Sequence, residues 1–72
     1  MKIVIQGAGE VGSHLAKMLS LEANDITVID DDPQRLANIS SIADVIAIEG
    51  APSSLRVMRE ADVQDADLFI SV

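Results

Sequence analysis

Cysteine, tryptophan and tyrosine are absent from the chain, and Phe69 is its single aromatic residue. Without cysteine there is neither a disulfide framework nor a thiolate metal site, although the compartment stays open. Without aromatics the core must be Ile, Val, Leu, Ala and Met, as in a parallel sheet buried on both faces. Positive charge is scarce too. Five Lys and Arg stand against twelve Asp and Glu, for a net charge of −7. Such a surface repels nucleic-acid phosphates and anionic lipid, which argues against both as partners. No apolar run approaches the roughly 20 residues that span a bilayer. Lys2 is followed by only three strongly apolar residues before Gln6, so no targeting segment is visible. A soluble chain, by default cytoplasmic, is expected. Seventy-two residues allow one small domain. A core of this size rarely supplies more than about 3–5 kcal/mol.

What is present is concentrated near the start. Ile3-Val4-Ile5 reads as a buried strand, and Gly7-Ala8-Gly9-Glu10-Val11-Gly12 follows as a G-x-G-x-x-G turn. Val11, Leu15, Met18 and Leu19 then recur at helical spacing, predicting a helix from about Glu10 to Ser20 with those residues turned inward. Glu10, His14 and Lys17 fall on its wet side. Strand, glycine turn and helix together make a cradle for a diphosphate. Gly7 permits the tight turn, Gly9 admits the ligand to the backbone, and Gly12 lets helix and strand pack closely. The free N–H groups of the first helical turn face the phosphates, with the helix dipole behind them. Ser13, in that turn, is a candidate donor to a phosphate oxygen.

A glycine turn alone is weak, and Asp30 strengthens it. It closes a second strand, Ile26-Thr27-Val28-Ile29, 23 residues after Gly7. That is where a dinucleotide site needs a carboxylate to accept from the adenosine ribose hydroxyls. Its charge would repel a 2′-phosphate, so NAD or an adenosine nucleotide is favoured over NADP. Asp31 and Asp32 then open a second helix: an aspartate cap followed by Pro33 at the first helical position. Arg35 on that helix lies near the adenosine end, to stack on adenine or reach a phosphate; pairing with Asp31 or Asp32 is the other reading.

The second helix carries Leu36 and Ile39 inward. Val45-Ile46-Ala47-Ile48 is a third strand, closed by Glu49 and Gly50. Ala51-Pro52-Ser53-Ser54 turns and caps a third helix, with Leu55, Met58 and Ala61 inward and Val57 as a further candidate. Ala66 to Val72 is a fourth strand. Alternating strands and helices with short connections give parallel strands and right-handed crossovers. The expectation is an α/β, Rossmann-like, three-layer half domain: a parallel four-stranded sheet in order 3-2-1-4 with three helices. Gly50 and Val72 end strands at the carboxyl edge, where ligands sit in open α/β sheets, so their backbones join the candidate site. Only the third helix covers the second sheet face, and the fourth strand has a free edge near Phe69. Self-association through that edge or face, or a native chain longer than these residues, is therefore expected. His14 has no metal-ligand or nucleophile partner at suitable spacing and reads as a surface residue. No catalytic or metal residues are identified.

The run Met1-Lys2-Ile3-Val4-Ile5-Gln6-Gly7-Ala8-Gly9-Glu10-Val11-Gly12 resembles the start of the TrkA family, regulators of Trk-type potassium uptake built on the KTN/RCK domain. The likeness continues through Asn24 to Asp30, Arg35-Leu36, Gly50, Leu55 to Ala61 and Asp65 to Leu68. It implies a non-catalytic cytoplasmic subunit that binds NAD or NADH, alternatively ATP or ADP. It also implies rings of such domains at the inner face of the cell membrane, beside an integral-membrane potassium transporter subunit. By the same resemblance, residues 1–72 are the N-terminal portion of the module, without its last strands and C-terminal lobe. Two departures stand out. Many members have a polar residue after the third-strand glycine. Ala51 stands there in this chain, able to offer only backbone or van der Waals contact. Many have glycine where Asp62 stands here. The alternative function is the cofactor-binding fragment of an NAD-dependent oxidoreductase.

Overall fold

The computed structural model describes residues 1–51 and 53–72. Its elements are β1 (Lys2–Gln6), α1 (Glu10–Ser20), β2 (Asp25–Asp30), α2 (Pro33–Ile42), β3 (Ile46–Glu49), α3 (Leu55–Glu60) and β4 (Leu68–Ser71). One 3-10 turn, Val63–Asp65, precedes the last strand. The strands pair in parallel in the order β3-β2-β1-β4, the Rossmann-like arrangement read from the sequence. No helix among the described residues is long and apolar enough to cross a membrane.

Sequence dictates where the helices begin. Asp32 caps α2 by accepting the Gln34 N–H at 2.9 Å, with Pro33 first in the helix. Ser54 caps α3 through a longer contact, 3.5 Å, from the Val57 N–H. Pro52, part of the turn read before α3, lies outside the described residues. α1 differs: Gly9 is its N-cap, and no side chain accepts from its first turn.

Alternate residues of the sheet feed two cores. Ile3, Ile5, Ile26 and Val28 pack with Ala8, Ala16, Leu36 and Ile39 beneath α1 and α2. Val4 and Ile29 face the other way, onto Val57 and Ala61 of α3 and the residue after it. The fully buried Val and Ile of β1 and β2 thus have helices on both sides, as parallel strands require. β4 pairs with β1 alone among the described residues, leaving Leu68 and Phe69 exposed along it.

Three details correct the sequence reading. Val11 and Met18 do not face inward: they are 62% and 55% exposed. The inner stripe of α1 runs through Gly12 and Ala16, flanked by the half-buried Leu15 and Leu19. Small residues let α1 press onto the sheet, while periodicity weighs bulky ones. In α3, Leu55 is 71% exposed and Val57 is the buried anchor. The Val57 side chain fills the space that a Cβ on Gly50 would occupy, which sets the rotation of this short helix. Finally, β4 starts at Leu68 rather than Ala66. The Ala66 N–H closes the 3-10 turn on the Val63 carbonyl (3.0 Å), and the Asp67 N–H bonds the Lys2 carbonyl (2.8 Å).

Asp62 enters that turn in the left-handed region, at φ 58°. An aspartate tolerates this backbone better than most residues. Its carboxylate also pairs with Lys2, whose hydrogen bond and charge hold Asp62 below its ordinary pKa.

Candidate functional site

The order β3-β2-β1-β4 reverses direction between β1 and β4, so a crevice opens at the carboxyl ends of those strands. The residues that follow them, Gly7 and Val72, both line it. Gly9, Glu10, Val11, Gly12, Asp30 and Arg35 complete a cleft of about 250 Å³. Most of the site read from the sequence is therefore brought together. Ala8 lies behind the wall, 3% exposed. Gly50 is adjacent, its N–H bonded to the Asp30 carbonyl at 3.0 Å. Asp31, Gly50 and Ala51 are not among the residues lining the cleft.

The glycine turn is shaped by what surrounds it. Gly7 sits at φ 116°, where L side chains are rare, and a Cβ there would lie 2.8 Å from the Val72 carbonyl oxygen. A Cβ on Gly12 would collide with the Gly7 carbonyl, so α1 and the turn touch only because residue 12 has none. Gly9 is different. Nothing lies within 4 Å of the position its Cβ would take, and its φ of −71° suits any residue. The protein's own packing does not require glycine there. The space in front of it is open, beside a helix start that no side chain caps. These are the features a phosphate group needs: close backbone approach and donors without partners.

Asp30 holds the centre. It is 4% exposed, and each carboxylate oxygen already accepts one backbone N–H: Oδ2 from Ala8 and Oδ1 from Asp32, both at 2.8 Å. An ionised carboxylate has about four acceptor sites, so capacity for ribose hydroxyls remains. Burial pushes its pKa up. The two N–H groups and the nearby Arg35 charge outweigh burial, and the carboxyl stays below its ordinary value and ionised. Arg35 Nη1 stands 3.8 Å from Asp30 Oδ2, and its Nε stands 3.7 Å from Asp32 Oδ2. Arg35 lines the cleft, and of the two acids read as its partners it pairs with Asp32 rather than Asp31, standing also beside Asp30 at the end of β2. The guanidinium is more than half exposed, so these pairs are loose.

Ser13 departs from expectation. Its hydroxyl donates to the Ala8 carbonyl at 2.8 Å. A hydroxyl has one proton, so that donor is not available to a phosphate. His14 is exposed on α1. No group of three or more His, Cys, Asp or Glu among the described residues is arranged to hold a metal.

Sheet order, glycine turn and strand-end acid define a Rossmann-like α/β domain with its cleft at the switch point. Comparison with known families specifies it further: the TrkA-N domain matches residues 3–72, and the chain belongs to that family. The Trk system potassium uptake protein TrkA of Haemophilus influenzae is 44% identical over 72 residues, covering all of this chain and 16% of that protein. The Archaeoglobus fulgidus TrkA homolog is 47% identical over 73 residues, again 16% of its length. The Pyrococcus abyssi homolog is 33% identical over 72 residues, covering 32% of that protein. The chain thus spans between about a sixth and a third of these relatives.

Proposed function

We propose that this chain is the nucleotide-sensing part of a Trk-type potassium uptake regulator, binding NAD or NADH, alternatively ATP or ADP, in the Gly7–Gly12 and Asp30 cleft. One observation carries the reading. The open space before Gly9 and the uncapped start of α1 share a cleft with a buried, ionised acid at the end of β2. Phosphates would meet the helix start, and ribose hydroxyls would meet Asp30. A 2′-phosphate would meet a carboxylate instead, which disfavours NADP.

The role is regulatory rather than catalytic. Relatives bearing the Trk system potassium uptake name support the transport context. In that context the domain works beside a membrane potassium transporter subunit at the inner face of the membrane. Residues 1–72 then form the first part of a larger KTN/RCK module. Copies associate through the open β4 edge or the thinly covered face under α3. A nucleotide switches such an assembly only if it binds two arrangements with different affinity.

The test is a thermal-shift series with NAD, NADH, NADP, ATP and ADP. A ligand at 100 times its Kd adds about 2.7 kcal/mol, a large fraction of the stability of a domain this small. A shift with NAD or ADP and none with NADP is expected. No shift with any of them would refute the proposal.

A further inference from the structure

The turn before α1 is held peptide by peptide. The Gly7 N–H bonds the Ile29 carbonyl at 2.8 Å, and the Ala8 N–H bonds Asp30 Oδ2 at 2.8 Å. The next peptide joins Ala8 to Gly9, and the Ser13 hydroxyl grips it by taking the Ala8 carbonyl at 2.8 Å; the Ser13 N–H takes the Gly9 carbonyl, which belongs to the peptide after it, at 2.9 Å. The backbone bond belongs to any helix start. The hydroxyl bond is extra, and only a Ser or Thr at position 13 can make it.

Its consequence follows from peptide geometry. In a trans peptide the C=O and the N–H point in opposite directions. Pinning the Ala8 carbonyl on Ser13 therefore turns the Gly9 N–H away from α1, on a residue that lines the cleft. Glycine at position 9 leaves this peptide free to rotate in the absence of a tether. Rotated the other way, it would present a carbonyl dipole to an anion instead of a donor.

We propose that Ser13 is a positioning residue of the cleft: its hydroxyl fixes the Ala8–Gly9 peptide so that the Gly9 N–H is held for the diphosphate of a bound nucleotide. Ser13 touches the loop, not the ligand. The assignment rests on the nucleotide reading of the cleft. It extends that reading by separating the diphosphate end, which depends on Ser13, from the ribose end, which depends on Asp30.

The experiment compares Ser13→Ala and Ser13→Thr with the unsubstituted chain by titration calorimetry, using ADP and adenosine as probes. Loss of one well-placed hydrogen bond to the loop corresponds to about a tenfold change in Kd. Ser13→Ala is expected to weaken ADP by about that factor and to leave adenosine within about twofold. Ser13→Thr, which keeps the hydroxyl, is expected to restore ADP binding. A purely structural role would lower the melting temperature of Ser13→Ala without changing the ratio of the two affinities, and that result would overturn the assignment. Equal weakening of ADP and adenosine would also overturn it. If the unsubstituted chain binds neither probe, the nucleotide reading itself fails, and this assignment with it. That outcome is distinct from failure of the tether alone, in which the unsubstituted chain and Ser13→Ala bind ADP equally.

Discussion

Gly9→Ala and Gly12→Ala separate glycine required by packing from glycine required by a ligand. At Gly12 a Cβ would run into the Gly7 carbonyl and approach Val72 Cγ2 at 3.2 Å. Neither Gly7 nor α1 can yield without disturbing the β1–β4 junction, so overpacking of about 1–3 kcal/mol is expected. For a domain of this size each kcal/mol moves Tm by about 4–8 °C. At Gly9 the Cβ enters open space at an ordinary φ. Two small effects oppose each other there. Alanine restricts the unfolded chain, gaining about 0.4–1 kcal/mol. It is also a poorer N-cap than glycine, by an amount of the same order. The folded domain should therefore lose less than about 1 kcal/mol. Nucleotide binding should nevertheless fall at least about tenfold, because the new methyl stands where a phosphate must approach the backbone. Urea melts followed by circular dichroism give the stabilities, and calorimetric titration with ADP gives the affinities. If Gly9→Ala binds ADP as tightly as the unsubstituted chain, the open space before Gly9 is not a ligand cradle. If it destabilises as much as Gly12→Ala, the packing argument is wrong.

Other consequences are open to the same assays. Asp30→Asn retains an acceptor for one backbone N–H but turns an amide donor toward the other. A loss of about 1–3 kcal/mol in urea melts is expected, together with weaker nucleotide binding. The pKa of Asp30 lies below its ordinary value in the folded chain, so its ionised form stabilises the fold above the unfolded pKa near 3.8. That contribution is lost as pH falls through the still lower folded value. The stability gap between the unsubstituted chain and Asp30→Asn should accordingly be flat above about pH 5 and shrink below pH 4; a gap constant down to pH 2.5 would contradict this. Asp62→Gly relieves a left-handed backbone at the cost of an exposed ion pair with Lys2, and should be close to neutral. Asp62→Ala keeps the strained backbone without the pair and should be about 1 kcal/mol less stable than Asp62→Gly.

Much of this molecule is written locally. The β-branched runs, the glycine turn and the Asp32-Pro33 start each specify their own conformation within a few residues, so the element order was legible. Handedness and connection length then leave few sheet topologies, and 3-2-1-4 is the one adopted. Asp30 was legible because its spacing from the glycine turn carries chemical meaning. What escaped depends on contacts between distant residues. That Gly12 and Ala16, rather than Val11 and Met18, face the sheet is decided by how closely α1 can approach Gly7. That Val57 displaces Leu55 inward follows from the room left at Gly50, and that β4 starts late follows from the tie between Asp67 and Lys2.

The glycine turn shows the division most plainly. Residue order determined that a strand, a glycine turn and a helix would meet at the carboxyl edge of the sheet. Tertiary structure decided the direction of the donors: the Ala8 N–H onto Asp30, and the Ser13 hydroxyl onto the loop rather than toward a ligand. A hydroxyl proton has one destination, and only the folded position of the Ala8 carbonyl selects it.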